Sequence, residues 1–198
     1  MGLKEQKYLF NLMMDMEQVS EFLSELDEPI ILNLIGDEPP EKIAKLFQKL
    51  GVNDQVDILA LFSDEKTQSI LDLLNTEKQE EVEEIMSYPV DSAASIMTTD
   101  VFTLHQNIIA YEAIKEIQRQ EKSEMVFYLY ITDDDNRLTG VISLRDLVTT
   151  PPKTSLIDIM TKNVVSVRPE TDQEEVAKIV ARYNYLAVPV VDMDDSML

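Results

Sequence analysis

Residues 95–101 read Ser-Ile-Met-Thr-Thr-Asp-Val, and residues 158–164 read Asp-Ile-Met-Thr-Lys-Asn-Val, 63 positions later. The same spacing brings Glu112 into register with Glu175. Self-similarity at a fixed spacing indicates two copies of one supersecondary unit. Residues 93–198 are therefore interpreted as a tandem repeat, and this repeat decides the fold of the C-terminal half.

Each copy is predicted to run as strand, helix, strand and turn, because short β-branched segments flank one helical segment. In the later part of the copies, residues 134–138 match residues 194–198 at a spacing of 60, which implies a deletion of three residues in the second copy. The first copy continues into a further strand and helix over residues 140–148. The second copy stops before the equivalent segment, so we expect it to lack its last strand and helix.

The first 87 residues predict helices throughout, with apolar positions such as Ile58, Ile70 and Val82 recurring every 12 residues. A unit this short cannot bury its apolar face by itself, so neighbouring units must stack into a superhelix of either hand. The predicted fold class is α plus α/β. An all-α superhelical repeat domain (1–87) precedes two β-α-β-β-α copies (88–150 and 151–198), the second of them truncated.

The charge and composition narrow the function classes. The chain has 38 acidic and 17 basic residues and a net charge of −21, of which −13 lies in residues 1–87. Such a field disfavours nucleic acid and favours cations or basic partners. With no cysteine and one histidine, thiolate metal sites and Ser-His-Asp catalysis have no basis, so we predict a protein that is not an enzyme. The apolar runs are short and no signal peptide is evident, which favours a cytosolic location.

Three motifs carry a family resemblance. Residues 158–160 (Asp-Ile-Met), residues 188–192 (Val-Pro-Val-Val-Asp) and residues 140–147 (Gly-Val-Ile-Ser-Leu-Arg-Asp-Leu) together resemble a cystathionine-β-synthase (CBS) domain pair. Residues 88–97 (Tyr-Pro-Val-Asp-Ser-Ala-Ala-Ser-Ile-Met) join this pair to the acidic helical domain. The combination resembles the cytosolic region of MgtE-type magnesium transporters, whose linking motif has Gly where this chain has Ala94.

The resemblance implies a function in Mg²⁺ sensing. Ions between the helical domain and the CBS pair would draw acidic faces together and hold a pore shut. The implied metal ligands are Asp54 and Asp57 in the helical domain, and Asp172 and Glu174 at the start of a helix in the second copy. Asn184 stands where the family usually has Asp, which puts one expected ion in question. The alternative is that these acids only cap helices or oppose helix dipoles.

The resemblance also implies the assembly and the setting. It predicts a homodimer formed through the CBS domains and a transmembrane domain that is missing from this chain. The full-length protein would lie at the cytoplasmic face of the inner cell membrane, and this fragment would be soluble.

A second ligand class is an adenine nucleotide. Gly140, Ser143 and Asp146 match a Gly-x-x-Ser/Thr-x-x-Asp motif that closes an ATP or AMP site in many CBS domains. On this reading the chain would be a nucleotide-binding regulatory module without a transport role. The alternative is that Ser143 caps the following helix and Asp146 lies in its first turn. The acidic run at residues 133–136 lacks the Gly and Glu of an EF-hand and favours a hairpin turn.

Overall fold

The computed structural model describes residues 3–13, 19–24, 26–99, 101–119 and 128–198. The chain divides into two compact units, Met1–Pro89 and Val90–Leu198. Among the described helices, none combines the length and the apolar character that crossing a bilayer requires.

The first unit is helical, as predicted. Its helices are α1 (Leu3–Met13), α2 (Val19–Ser24), α3 (Glu28–Ile35), α4 (Pro40–Phe47), α5 (Val52–Ala60), α6 (Asp64–Leu71) and α7 (Thr76–Met86). The last four begin at residues 40, 52, 64 and 76, which is the 12-residue period of the sequence. Ile58, Ile70 and Val82, the residues that carried this period, are all buried.

Alternate helices of this unit stack on one another. Helix α4 packs against α6, and α5 packs against α7. The chain therefore turns sharply after each of these short helices, and α4 and α5 are each covered by the helix two positions along. This arrangement is the stacked helical repeat that the sequence predicts.

A buried glutamine links α5 to the end of α4 and to the turn between them. Gln55 is fully buried, and its Nε2 donates to Phe47 O at 3.0 Å and Leu50 O at 2.8 Å. Phe47 is the last residue of α4, where helix geometry leaves carbonyls without intrahelical partners, and Leu50 lies in the turn that leads to α5. The first turn of α5 therefore closes the end of α4.

The second unit contains α8 (Ala93–Ile96), β1 (Thr103–His105), α9 (Ala110–Arg119), β2 (Tyr128–Thr132), β3 (Leu138–Ser143), α10 (Leu144–Thr149), α11 (Leu156–Ile159) and α12 (Gln173–Tyr183). The three strands form one sheet in the order β1-β2-β3. Strand β1 is parallel to β2, and β2 is antiparallel to β3. The first copy is thus the predicted β-α-β-β-α unit.

The second copy repeats this pairing as isolated bridges. Val167 pairs in parallel with Val190, and Val191 pairs antiparallel with Met197. These bridges correspond to the β1–β2 and β2–β3 pairings of the first copy. The second copy therefore has the predicted strand, helix, strand and turn, and Met197 is the counterpart of Leu138, the first residue of the strand that was expected to be lacking.

The pairing corrects the predicted alignment of the later part of the copies by one residue. Leu104 pairs with Ile131, whereas Val167, 63 residues after Leu104, pairs with Val190, 59 residues after Ile131. The spacing of 60 that the sequence indicated is therefore wrong, and the second copy is shorter by four residues. Apolar strand residues are interchangeable in the sequence pattern, so that pattern does not distinguish the two registers.

The two hairpin turns agree with the corrected register. Asp133 Oδ1 accepts hydrogen bonds from the amides two and four residues later, each at 3.0 Å. Asp192 Oδ1 accepts the equivalent bonds at 2.9 and 2.8 Å. Asn136 and Asp195 then adopt positive φ values of 60° and 64°. The acidic run at residues 133–136 is therefore a hairpin turn, as predicted.

The two copies exchange their first segments. Ala93 N donates to Thr171 O at 2.7 Å, and its repeat counterpart Leu156 N donates to Ile108 O at 3.0 Å. Ala93 is buried in the second-copy core, whereas Leu156 is buried in the first-copy core. Each copy is thus completed by a short helix from the other, which makes them one folded unit.

Candidate functional site

Two predicted ligands lie on α5 of the helical unit. Asp54 and Asp57 are three residues apart, a spacing that puts both on one side of the helix. Partial burial, followed by repulsion from Asp57, raises the pKa of the Asp54 carboxyl group. Desolvation, followed by repulsion from Glu28, likewise raises the pKa of Asp57, although this residue is more exposed than Asp54. Neither carboxylate has a basic partner among the described residues, so the negative charge here is uncompensated.

The other two predicted ligands lie at the start of α12. Asp172 is the N-cap residue, and its Oδ1 accepts a hydrogen bond from Glu174 N at 2.8 Å. The Glu174 carboxylate lies 3.7 Å from Lys178 Nζ, and both side chains are largely exposed. The helix-cap role named as the alternative is thus present for Asp172. It uses one carboxylate oxygen, which leaves the other for a hydrated cation.

The two acidic pairs belong to different compact units. In the described part of the chain, no group of three or more acidic or histidine side chains is arranged to hold a metal ion. Mg²⁺ commonly keeps several of its waters and binds through one or two carboxylates. Each pair could therefore supply one or two carboxylate ligands to a hydrated Mg²⁺ ion. The assignment of these four residues to Mg²⁺ stays a prediction.

Asn184 ends α12 in the left-handed conformation, with φ 51° and ψ 42°. Its amide donates to Val180 O, which closes the last turn of the helix. Asn adopts this conformation more readily than most residues. The residue that departs from the family pattern therefore has a structural role as a helix C-cap.

The nucleotide motif is engaged in local contacts. Ser143 caps α10, accepting from Asp146 N at 3.1 Å and donating to Asp146 Oδ2 at 2.6 Å. Gly140 is buried where a Cβ would lie 2.5 Å from Met160 Sδ. The capping alternative thus describes Ser143 and Asp146, while Gly140 gives room to the Met that follows α11. A bound ribose would share Asp146 with the Ser143 hydroxyl.

The residue that sequence reasoning missed is Gln173. It donates to Asp91 twice, from its backbone N to Asp91 O at 2.9 Å and from Nε2 to Asp91 Oδ1 at 3.1 Å. In the repeat alignment, position 173 corresponds to Ala110 and position 91 to Thr154. Ala110 N donates to Thr154 O in the first copy, so the same backbone contact occurs in both copies. Only knowledge of the exchanged segments shows that these positions meet.

Comparisons with known proteins agree with this architecture. Residues 1–91 match the family model of the MgtE intracellular N domain, and residues 93–152 and 156–198 match the CBS domain. The magnesium transporter MgtE of Thermus thermophilus is 36% identical over 132 residues, covering 66% of this chain and 29% of that protein. The MgtE of Bacillus subtilis is 28% identical over 196 residues, covering 97% of this chain and 42% of that protein.

A solved structure matches the whole chain. The crystal structure of the cytosolic domain of the Mg²⁺ channel MgtE in complex with ATP aligns with a TM-score of 0.88 at 30% identity, covering 100% of this chain and 81% of that one. The fold, the two family models and the solved structure together define the class of protein: a helical N domain joined to a CBS domain pair. The chain belongs to the MgtE family. It spans less than half the length of the curated relatives described above.

Proposed function

We propose that this chain is the cytosolic Mg²⁺-sensing regulatory region of a magnesium transporter. Divalent ions bridge the acidic faces of the helical unit and the CBS pair and thereby gate the pore. The region acts without catalysis, as a homodimer through its CBS domains, at the cytoplasmic face of the membrane beside its own transmembrane domain. Support comes from the relatives, which are named as magnesium transporters.

The observation that carries the proposal is the uncompensated charge on α5. Partial burial and like-charge repulsion raise the pKa of both Asp54 and Asp57. Their ionised forms are therefore held at a cost in free energy, and a bound cation removes part of that cost. Because Mg²⁺ is a hard cation that prefers oxygen ligands, these carboxylates suit it.

The test is a Mg²⁺ titration followed by calorimetry and by small-angle scattering. We expect binding and a smaller radius of gyration at millimolar Mg²⁺. The double variant Asp54→Asn/Asp57→Asn should weaken apparent affinity about three- to tenfold, since a nearby charge is worth on the order of 1 kcal/mol in water. The matched control Glu65→Gln removes an exposed charge of the same unit and should bind like the wild type. Unchanged heat and scattering up to about 20 mM, a generous limit for weak carboxylate sites, would contradict the proposal.

The α12 pair needs a variant that separates charge from capping. Asn is as good an N-cap residue as Asp, so Asp172→Asn keeps the bond to Glu174 N while removing the charge. If Asp172 contacts the ion, this variant weakens Mg²⁺ binding without lowering thermal stability. Glu170→Gln, an exposed neighbour before the helix, is the control. If Asp172→Asn binds Mg²⁺ as tightly as Glu170→Gln does, Asp172 is not an ion ligand and serves only as the N-cap of α12.

Adenine-nucleotide binding is the second candidate, with the chain acting as a nucleotide-binding regulator without a transport role. Nucleotide binding, though not the absence of a transport role, is favoured by the ATP complex of the matching cytosolic domain, which is that of a Mg²⁺ channel. Calorimetry with ATP and with AMP decides whether this chain binds either. Asp146→Asn should weaken a true ribose contact, whereas Asp158→Asn, an exposed carboxylate on α11, should not. No heat with either nucleotide would exclude this candidate.

A further inference from the structure

The segment that leads out of the helical unit, residues 90–92, is here called the connector. Ser92 pairs with Asp172 in an antiparallel bridge, and Gln173 donates one bond to the backbone carbonyl of Asp91 and one to its carboxylate. The connector is therefore attached to the start of α12, between the two acids predicted to bind Mg²⁺. We call the Gln173–Asp91 side-chain bond the clamp.

The first copy contains the same backbone contact without the clamp. Ala110 N donates to Thr154 O at 2.9 Å, the counterpart of Gln173 N to Asp91 O. Ala110 ends in a methyl group and has nothing to donate from its side chain. The clamp thus occurs in the copy whose helix begins with the acidic pair.

We propose that Gln173 is a positioning residue that couples ion occupancy at Asp172 and Glu174 to the connector. This inference rests on the proposed Mg²⁺ function. The clamp holds the Asp91 carboxylate next to the residue that follows Asp172, so repulsion between Asp91 and Asp172 opposes it, while Lys178 offsets part of the Glu174 charge. A divalent cation at the start of α12 reduces this repulsion and tightens the clamp. Residue 90 directly follows Pro89, the last residue of the helical unit, so the connector is the covalent link between that unit and the start of α12.

Amide hydrogen exchange, followed by NMR on the whole chain, measures the coupling at named atoms. Ala93 N and Ala94 N donate to Thr171 O and Pro169 O, so their protection reports how firmly the connector end is held. The counterpart amide of Leu156, which bonds to Ile108 O, serves as an internal reference. We expect Mg²⁺ to raise protection at Ala93 and Ala94 about two- to fivefold, the size of one modest hydrogen bond, and to leave Leu156 unchanged.

Three variants separate coupling from simple structural support. Gln173→Ala removes the donor and should abolish most of the Mg²⁺ response at Ala93. Asp91→Asn keeps an oxygen acceptor but removes the charge, so protection without Mg²⁺ should be kept or raised while the response to Mg²⁺ shrinks. Thr154→Ala is the matched control at the counterpart of Asp91, and its response should equal that of the wild type.

Two results would overturn the inference. A full Mg²⁺ response at Ala93 in Gln173→Ala would show that the clamp does not carry the coupling, while the proposed Mg²⁺ sensing would stand. Absence of any response in the wild type would also refute the coupling. Calorimetry on the same sample then shows whether Mg²⁺ still binds, which separates this failure from failure of the proposed function.

Discussion

At the scale of single residues, Asp54 differs from the carboxylates at the starts of α10 and α12. Asp172 and Asp146 both lie at helix starts where an amide or hydroxyl donates to them. Asp54 is partly buried and is repelled by Asp57, so its ionised form is disfavoured in the folded chain. Asp54 is therefore the carboxylate on which the proposed cation binding would have the largest effect.

Asp54→Asn should stabilise the helical unit at neutral pH in the absence of divalent ions. The folded-state pKa of Asp54 is raised above its unfolded value. The folded state therefore binds the proton more tightly, and this stabilisation is lost as the pH rises from the unfolded pKa through the folded pKa. At pH 7 the free energy of unfolding of Asp54→Asn should exceed that of the wild type by on the order of 0.5 kcal/mol, after allowance for solvent screening. Near pH 3.5 the two proteins should be equally stable.

Urea unfolding at the two pH values measures this difference. Glu65→Gln serves as the control, because an exposed carboxylate has little to gain by losing its charge. Equal midpoints for Asp54→Asn and wild type at pH 7 would show that Asp54 is already compensated.

At the scale of secondary-structure elements, β3 and α11 meet closely. Gly140 pairs with Ile131 in the sheet, and Met160, at the end of α11, packs where a side chain on Gly140 would point. Thr139 Oγ1 lies 3.9 Å from Met160 Sδ on the same side. The glycine of the nucleotide-like motif is therefore required by packing between the two copies.

Gly140→Ala should destabilise the second unit by about 1–3 kcal/mol, because the new Cβ overlaps Met160 from its Cβ to its Sδ. Met160→Ala removes Sδ and Cγ, the two closest atoms, and leaves only the contact with Cβ, so the double variant should be more stable than the two single effects predict together. Chemical denaturation of the wild type and all three variants gives the interaction free energy between positions 140 and 160. Additive effects would contradict the close contact.

At the scale of the whole molecule, the second unit is one cooperative structure made from two exchanged copies. Leu156, from the second copy, is fully buried with Leu129 and Ile131 of the first. Without it the first-copy core would be open to water, and burying a Leu side chain is worth about 1.5–3 kcal/mol. Neither copy is therefore complete by itself.

A fragment of residues 90–150 should fail to fold, although it holds every strand of the three-stranded sheet. We expect poor chemical-shift dispersion and no cooperative thermal transition. The fragment 90–198 should give a well-dispersed spectrum and a cooperative thermal transition. The fragment 1–89 is a control for cutting the chain at the unit boundary. A well-dispersed spectrum for residues 90–150 would show that the exchange of segments is dispensable.

Local patterns account for most of the fold that could be predicted. The 12-residue period matches the starts of four helices, because helix caps and apolar faces are encoded within each segment. The 63-residue repeat likewise predicted the element order of both copies. The candidate acids were found through the family resemblance. Their surroundings could not be predicted, because burial and like-charge repulsion depend on side chains such as Glu28 that are distant in sequence.

By itself, the sequence determined two things: a helical repeat carrying most of the negative charge, and a duplicated β-α-β unit. Propensity, apolar periodicity and charge are properties of neighbouring residues and can be read directly. The tertiary structure decided the exchange of α8 and α11, the register of the second copy and the bond between Gln173 and Asp91. Residues 91 and 173 are 82 positions apart and meet because each copy needs the other's helix to exclude water from its core.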